Sequence, residues 1–523
     1  MAEKQKLKIL LINPPVLAVL EPWFDEPKFV RTAIAFLAGY LREFGDFEIK
    51  CIDAKFEKLS FQEVVNRTVA WHPDVVALTA FTNEIKPAAY TAGLIKREMP
   101  GVVTVIGGVH VTAIPEQTMR EFPTFDIGVV GEGEETFLEL CNELRNGNPD
   151  LNAVSGLVLR NQSKHAVLTK PRPRILDQNS IPTPAWDLLP AAEEYYIHTV
   201  RGCPFNCVFC MNPNGKVARK RSIKSTVEEM EWLITKFGAK RISFGDELFS
   251  VDMKRTAELM DLMIEYKIGE RVKWDVQTHV AYVNDELLAK MKAANIDKLE
   301  MGVETGDDAA LKRMGKSTNA EMILNSFSLA RKHKIKTGSF LLLGQPNETH
   351  QSIWRTIKFA IKINPTEPIF GTMVPYPGTE VAKLAAKGEA GFKLISTNWD
   401  EYNKQFNGSL EFTNISRRSL EWYQIIGYVI VFVANIRFID FMKFFITYFG
   451  GAIQLFFKAF SGKKSVREML NIPDNYEEVI ASPETISIEE IVKSREYWKG
   501  VQAGEVKRAR KEMPELLETQ MPL

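Results

Sequence analysis

Three of the five cysteines in this 523-residue chain sit in one stretch, Gly202-Cys203-Pro204-Phe205-Asn206-Cys207-Val208-Phe209-Cys210, spaced C-x3-C-x2-C. Thiolates are the soft ligands that iron–sulfur clusters and zinc select. Three thiolates on a four-iron cluster leave one iron free to hold a further ligand, and so to do chemistry. A structural zinc ion asks for four closed ligands. No fourth cysteine lies near, and His198 is the one neighbouring histidine. The competing readings are a zinc knuckle and three incidental core cysteines. The crowding of three thiols into eight residues favours the cluster.

The rest of the composition bounds the answer. Hydrophobic residues make up 45% of the chain and charged residues 25%, an ordinary globular balance. Lys+Arg and Asp+Glu number 66 each, so no net charge draws the chain to nucleic acid. Its length implies about three or four domains. Cys51 and Cys141 are isolated, which describes a metal site in a reducing compartment rather than a disulfide frame. Met1–Lys8 is polar and runs directly into an apolar strand, unlike a signal peptide. The expected location is cytoplasmic, with membrane association left open by the C-terminal segment.

The elements that position the cysteines follow from periodicity. Residues 1–150 alternate strands (8–13, 47–52, 74–79, 102–106, 125–130) with helical patterns (33–43, 61–69, 87–96), which predicts a doubly wound parallel sheet. Thr79, Gly107, Gly108 and Gly131 fall at the carboxyl ends of its strands, where such sheets bind ligands. Those glycines either admit a ligand to the backbone or only make tight turns. Residues 151–195 read as a hairpin and then a proline-interrupted linker (Pro171, Pro173, Pro182, Pro184, Pro190).

Residues 196–400 repeat strand and helix six times. A strand from Tyr195 to Arg201 delivers the cysteine loop, and further strands are expected at 241–244, 272–278, 298–303, 338–345 and 369–374. Ser225 is the expected N-cap of a helix over 226–237. Six such units form a partial TIM-type barrel whose strand ends share one mouth. Glu300 and Glu304 fall on one strand face by the period of two. Residues 401–523 are expected to be mainly helical. Trp422–Phe460 is dense in aromatic and β-branched residues, but Arg437, Asp440, Lys443 and Lys458 break it below the roughly 18 apolar residues of a spanning helix. It reads as a lid on the barrel, with an interfacial helix or a pocket wall for an apolar substrate as the alternatives. Residues 484–518 are charged and read as solvated helices.

The cysteine motif, with Phe209 before its last member, resembles the signature of the radical S-adenosylmethionine (SAM) enzymes. That resemblance implies a [4Fe-4S] cluster on Cys203, Cys207 and Cys210 whose open iron chelates the amino and carboxylate groups of SAM. Cleavage of SAM then yields a 5′-deoxyadenosyl radical that takes hydrogen from a substrate. The family places SAM contacts at strand ends, here Gly245, Asp246, Glu247 and Gln277, and at Glu304 in Gly302-Val303-Glu304-Thr305-Gly306. Relatives often have Arg where His279 stands and an apolar residue where Gln345 stands. Pro375-Tyr376-Pro377-Gly378-Thr379 is a further shared turn.

Asn13-Pro14-Pro15, Gly107-Gly108-Val109-His110 and Gly131-Glu132-Gly133-Glu134 resemble the cobalamin-binding domain that precedes the core in one large subfamily. The resemblance implies corrinoid contacts from Thr79, Gly107, Gly108, His110, Gly131 and Glu132, with His110 shaping its turn or lying in a surface loop. Where many corrinoid proteins carry Asp-x-His-x-x-Gly, this chain has Asp53-Ala54-Lys55-Phe56-Glu57-Lys58, without the histidine. The lower cobalt ligand is then absent or comes from elsewhere.

The function implied is a cobalamin-dependent radical SAM enzyme that methylates an unactivated carbon of a small or apolar substrate. The alternatives are cyclisation or rearrangement of a porphyrin- or lipid-like substrate without methyl transfer, and a non-catalytic corrinoid or iron–sulfur carrier. The implied partners are the substrate and an external flavodoxin- or ferredoxin-type electron donor. Nucleic acid is not among them, peripheral membrane contact is left open, and no oligomeric state is implied.

Overall fold

A computed structural model describes residues 6–16, 28–404, 408–446, 473–480, 488–518 and 520. They fall into two compact units. The first comprises the chain up to Arg174, together with Ile181–Ala191 and Phe438–Ile486; the second comprises Ile175–Ser180, Ala192–Arg437 and the chain from Ser487. Residues 447–472, which include the end of the aromatic-rich stretch, lie outside the described residues.

In the first unit, strands β1 (Leu7–Asn13), β2 (Phe47–Asp53), β3 (Val75–Thr79), β4 (Val103–Gly107) and β5 (Ile127–Val129) form a parallel sheet in the order β2-β1-β3-β4-β5. Helices α1 (Thr32–Phe44), α2 (Phe61–Trp71), α3 (Ile85–Glu98), α4 (Val109–Ala113), α5 (Pro115–Glu121) and α6 (Glu134–Leu144) join and follow them. Ile9, Leu10, Leu11 and Ile12 are all buried, because a parallel strand covered on both faces needs apolar residues on both. The order reverses between β1 and β3, the topological switch point at which such sheets bind ligands. The hairpin of β6 (Leu157–Arg160) and β7 (Ala166–Leu168) continues this sheet, β6 pairing antiparallel with β5.

In the second unit, six parallel strands lie in the order β15-β14-β13-β12-β11-β8. They are β8 (Glu194–Ile197), β11 (Arg241–Phe244), β12 (Lys273–Thr278), β13 (Lys298–Glu304), β14 (Lys336–Leu343) and β15 (Glu367–Thr372). Two short strands, β9 (Val200–Arg201) and β10 (Arg219–Lys220), pair antiparallel beside them. The principal helices are α7 (Ile223–Phe237), α8 (Met253–Glu265), α9 (Asp285–Ala293), α10 (Asp308–Arg313), α11 (Ala320–Lys332), α12 (His350–Ile363) and α13 (Glu380–Lys387), followed by α14 (Arg417–Ala434) and α15 (Ile488–Glu512). Sequential parallel strands joined by helices are the partial barrel the sequence predicted. Both α14 and α15 belong to the same compact unit as the barrel.

Four expectations are corrected. The strand leading to the cysteines breaks at His198-Thr199, where β9 turns away to pair with β10. Helix α7 starts one turn earlier than predicted, capped by Ser222, whose hydroxyl accepts from the backbone N–H of Ser225. A register shift in β13 between Gly302 and Glu304 breaks the period of two, so Glu300 and Glu304 find different partners. Helix α14 does not close over the mouth. It covers the open edge of β15: Gln424 donates to the Phe370 carbonyl, and the Phe370 N–H donates to the Tyr428 hydroxyl at 3.0 Å. These side chains satisfy edge-strand groups that would otherwise face solvent or another strand.

Candidate active site

The cysteine loop leaves the C-terminal end of β8 and β9, at the mouth of the barrel. Asp246, at the end of β11, pins its entry. The buried carboxylate accepts from the Thr199 N–H (2.7 Å), the Thr199 hydroxyl (2.7 Å) and the Val200 N–H (3.1 Å). Burial pushes Asp246 up to about 6, against the pull of those hydrogen bonds. Gly202 then turns the chain at φ +97°, where a Cβ would come 2.2 Å from the Val217 carbonyl oxygen. Only glycine fits that turn.

The loop itself is tied down at many points. Cys203 N–H donates to Gly215 O at 3.0 Å, and Asn212 Nδ2 donates to Cys203 O. Lys216 Nζ donates to Phe205 O. Val208 N–H donates to Met314 O at 2.9 Å, and Val381 N–H, at the start of α13, donates to Val208 O at 3.0 Å. Glu247 accepts from the Gly202 N–H at 3.2 Å and from Asn214 Nδ2. Backbone pinning of this density sets thiol positions before any metal is present.

Cys203 and Cys207 are half-buried, and Cys210 is exposed. Burial pushes Cys203 up to about 12 and Cys207 up to about 11; Cys210 opposes ionisation of both, and Cys207 opposes that of Cys203. Cys210 is raised as well, chiefly by the surrounding protein. Such thiols ionise when a metal supplies the compensating positive charge. Among the described residues no three His, Cys, Asp or Glu side chains converge on a single metal ion.

Charged and aromatic groups surround these thiols. Lys316 Nζ pairs with Glu304 Oε1 at 2.8 Å, both side chains buried. Burial opposes the charge on Lys316, but Glu304 and the Cys207 thiol outweigh it and hold the ammonium above its ordinary value. Glu304 stands at φ +61°, uncommon for a residue with a Cβ, directly after the register shift. Lys216 is also buried beside the cysteines, and burial lowers its ammonium. His279, at the end of β12, stacks on Phe205 with ring centroids 4.3 Å apart. Its Nδ1 accepts from the Ala281 N–H, and burial pushes it down to about 3, so it is neutral and carries its proton on Nε2. That Nε2 is buried without a partner, which places a donor beside the cluster loop.

Of the predicted SAM residues, Asp246, Glu247 and Glu304 are thus gathered around the cysteine loop. Asp246 is spent on the loop's own backbone. Half-buried Gln277 lies on β12 in register with Glu300, and half-buried Phe209 lies within the loop. A Cβ on Gly245 would come 2.8 Å from His198 Cε1, so glycine lets that ring pack close. Glu300 is taken up by Lys298 at 2.8 Å. Gln345 is buried and donates to the Leu342 carbonyl at 2.8 Å, which accounts for a polar residue there. Lys216, Lys316 and the buried polar face of α15 carry no signal in the sequence, since lysines in loops have no periodicity.

In the first unit, Thr79 pairs in register with Gly107, and Gly108 follows at φ +102° with the Ala80 carbonyl where a Cβ would stand. Gly131 opens on space, with nothing within 4 Å of a Cβ, and its N–H donates to the Thr112 hydroxyl. Glu132 is half-buried. His110 lies in α4 and is fully buried, which overturns the surface-loop alternative; burial pushes it down to about 3. Beside the switch point, buried Asp53 accepts from Asn13 Nδ2 at 2.6 Å and from the Arg31 and Phe56 N–H groups. Arg31 pairs with Glu84, and Lys55 lies 3.5 Å from the same carboxylate. Burial alone would raise Glu84, but Arg31 and Lys55 hold it below its ordinary value. Open glycines at adjacent strand ends, with a buried polar network beside them, fit a large ligand lying on the carboxyl edge of the sheet.

Residues 197–360 match the radical SAM superfamily, and residues 28–141 match the B12 binding domain. The chain is 32% identical over 411 residues to the uncharacterized methyltransferase PH0819 of Pyrococcus horikoshii, covering 76% of this chain and 86% of that one. It is 29% identical over 384 residues to the anaerobic magnesium-protoporphyrin IX monomethyl ester cyclase of Rubrivivax gelatinosus, covering 71% and 68%. The fold is similar to that of the cobalamin-dependent S-adenosylmethionine radical enzyme OxsB with aqua-cobalamin and S-adenosylmethionine bound, at a TM-score of 0.69 and 15% identity over 99% of this chain and 82% of that one. It is also similar to the radical S-adenosylmethionine methyltransferase TsrM of Kitasatospora setae with cobalamin and its cluster bound, at 0.65 and 17% over 82% and 89%. The chain belongs to the cobalamin-binding radical SAM superfamily, as a radical SAM enzyme of the cobalamin-dependent methyltransferase family whose cofactors are a four-iron cluster, SAM and cobalamin.

Proposed function

We propose that this enzyme methylates an unactivated carbon of a small or apolar substrate. One observation carries the reading: a pinned loop of three thiols at a barrel mouth, in a chain that also holds a corrinoid-type sheet and is 32% identical to a methyltransferase. When bound, the cluster with SAM supplies hydrogen-atom abstraction and cobalamin supplies a methyl carrier.

The residues of this chain then have separate tasks. Cys203, Cys207 and Cys210 hold the cluster, and half-buried Phe209 walls the loop. The amino acid end of SAM is a zwitterion. Glu304 and Lys316, already an ion pair beside Cys207, offer a carboxylate to its ammonium and an ammonium to its carboxylate. Glu247 and Gln277 add acceptors at neighbouring strand ends, and Gly245 makes room for the His198 ring beside them. Asp246 fixes the loop. Gly107 and Gly131 admit the corrin to the backbone, with Thr79 and Glu132 flanking it; Gly108 makes the turn, and buried His110 supports that turn. An external flavodoxin- or ferredoxin-type donor reduces the cluster.

The second reading is cyclisation or rearrangement without methyl transfer, which the 29% identity to a cyclase favours. Helix α14 supports an apolar or membrane-borne substrate in either case, because Trp422, Ile425, Val429 and Val433 are exposed along its outer face. Among the described residues no helix is long and apolar enough to cross a membrane. Anaerobic turnover with SAM labelled in its methyl group separates the readings. Label in the product supports methyl transfer; an unlabelled product with 5′-deoxyadenosine supports the cyclase-type reaction. Absence of 5′-deoxyadenosine from the reconstituted enzyme would defeat both.

A further inference from the structure

The charge of residues 484–518 predicts solvated helices, yet in α15 Ile491, Arg495, Trp498, Gln502, Glu505 and Ala509 are all buried. They recur at alternating steps of four and three, so they form one continuous stripe of the helix. Half of that stripe is polar, and each polar member reaches backbone of the cluster site. Gln502 Nε2 donates to Met211 O at 3.2 Å, directly after Cys210. Glu505 Oε2 accepts from the Lys216 N–H at 3.2 Å. Arg495 donates to Gly378 O at 3.3 Å and pairs with Glu380 at 3.3 Å. Ala509 completes an apolar patch with Leu176, Val217 and Leu516.

Both segments that α15 grips hold the cysteine loop directly. The return segment 211–217 supplies Gly215 O to Cys203 N–H, Asn212 Nδ2 to Cys203 O and Lys216 Nζ to Phe205 O. The turn at Gly378–Glu380 leads into α13, whose Val381 N–H holds Val208 O. A buried carboxylate and a buried guanidinium are costly, and here they are met by backbone and charged partners.

We infer that α15 is a working part of the radical SAM site: Arg495, Gln502 and Glu505 are positioning residues that set the return segment and so fix the geometry of the cluster thiols. This rests on Cys203, Cys207 and Cys210 being the cluster ligands. The matched radical SAM region ends at residue 360, so the C-terminal helix completes from outside it a site whose ligands lie within it.

The test uses the full-length protein with Glu505→Ala, Glu505→Gln and Gln502→Ala, against exposed Lys507→Ala as control. Three readouts apply: alkylation rate of the three thiols in the apoprotein, hydrogen exchange at the Lys216 amide, and the paramagnetic resonance spectrum of the reduced cluster with and without SAM. Glu505→Ala should speed alkylation and exchange by about tenfold, the scale of one hydrogen bond to a charged acceptor. It should also alter the spectral change that SAM produces. Glu505→Gln keeps an acceptor for the Lys216 N–H and should restore most of both. Rates and spectra within about twofold of the control would overturn the inference, since such a bond is worth more than that. If Glu505→Ala fails to fold, Gln502→Ala decides by the same readouts. Cys203→Ala is the separate check: a cluster retained there defeats the ligand assignment, whereas a cluster lost there with Glu505→Ala unchanged defeats only the role of α15.

Discussion

Lys316 Nζ lies 2.8 Å from Glu304 Oε1, and the pair is buried beside Cys207. It joins the end of β13 to the loop after α10, two elements that no sequence period connects. Removing one partner strands the other charge. Lys316→Met should therefore destabilise the apoprotein by about 3 kcal/mol or more, while Glu304→Gln with Lys316→Met should recover most of that. Urea unfolding of the four-member cycle measures the coupling. Additive single effects would show that the two side chains act independently.

Asp246 provides a pH test. Its folded carboxyl sits at about 6, pushed up by burial, whereas an unfolded aspartate titrates near 3.9. The native state holds this proton more tightly than the unfolded chain. Its contribution is complete below about pH 4, fades as pH rises, and is gone above about pH 6, a change of about 2–3 kcal/mol. Relative to Asp246→Asn, the wild-type apoprotein should lose stability between those two values. Parallel urea midpoints for the two proteins across that range would refute it.

The glycine turn of the first unit separates fold from ligand. In Gly108→Ala the new methyl would stand 2.7 Å from Ala80 O at a φ of +102°, so melting should reveal a loss of about 1–3 kcal/mol. At Gly107 the nearest atom is 3.9 Å away. Gly107→Ala should therefore melt like the wild type yet retain less cobalamin after gel filtration. Equal retention by Gly107→Ala and wild type would remove Gly107 from the corrinoid site.

No protein imidazole should bind cobalt from below. Lys55 stands where a histidine would be needed, and its ammonium is held by Glu84 at 3.5 Å. His110 is fully buried within α4. Protein labelled with 15N-histidine and loaded with cobalamin should give the same cob(II)alamin resonance spectrum as unlabelled protein. A change in nitrogen splitting would overturn this.

Much of the architecture was legible beforehand because it rests on local periodicity. The apolar run of β1 announced a strand buried on both faces. The strand–helix alternation gave both parallel sheets, and three thiols within eight residues gave the cluster loop. What the sequence does not show depends on interactions between distant segments. The break at His198-Thr199 exists because Asp246 captures the Thr199 backbone, 47 residues away. The buried stripe of α15 was hidden because Arg495, Gln502 and Glu505 occupy positions where a core-facing helix usually shows apolar residues.

The sequence by itself determined which atoms could do the chemistry: three soft ligands in one loop, and glycines at the strand ends. Residue type and spacing are local properties, and a chain carries them whether folded or not. Only the tertiary structure decided what surrounds those atoms: Lys316 and Glu304 beside Cys207, a neutral His279 stacked on Phe205, and the grip of α15 on the return segment. Burial and charge pairing depend on contacts between residues far apart in the chain. Those contacts come into being only when the chain folds.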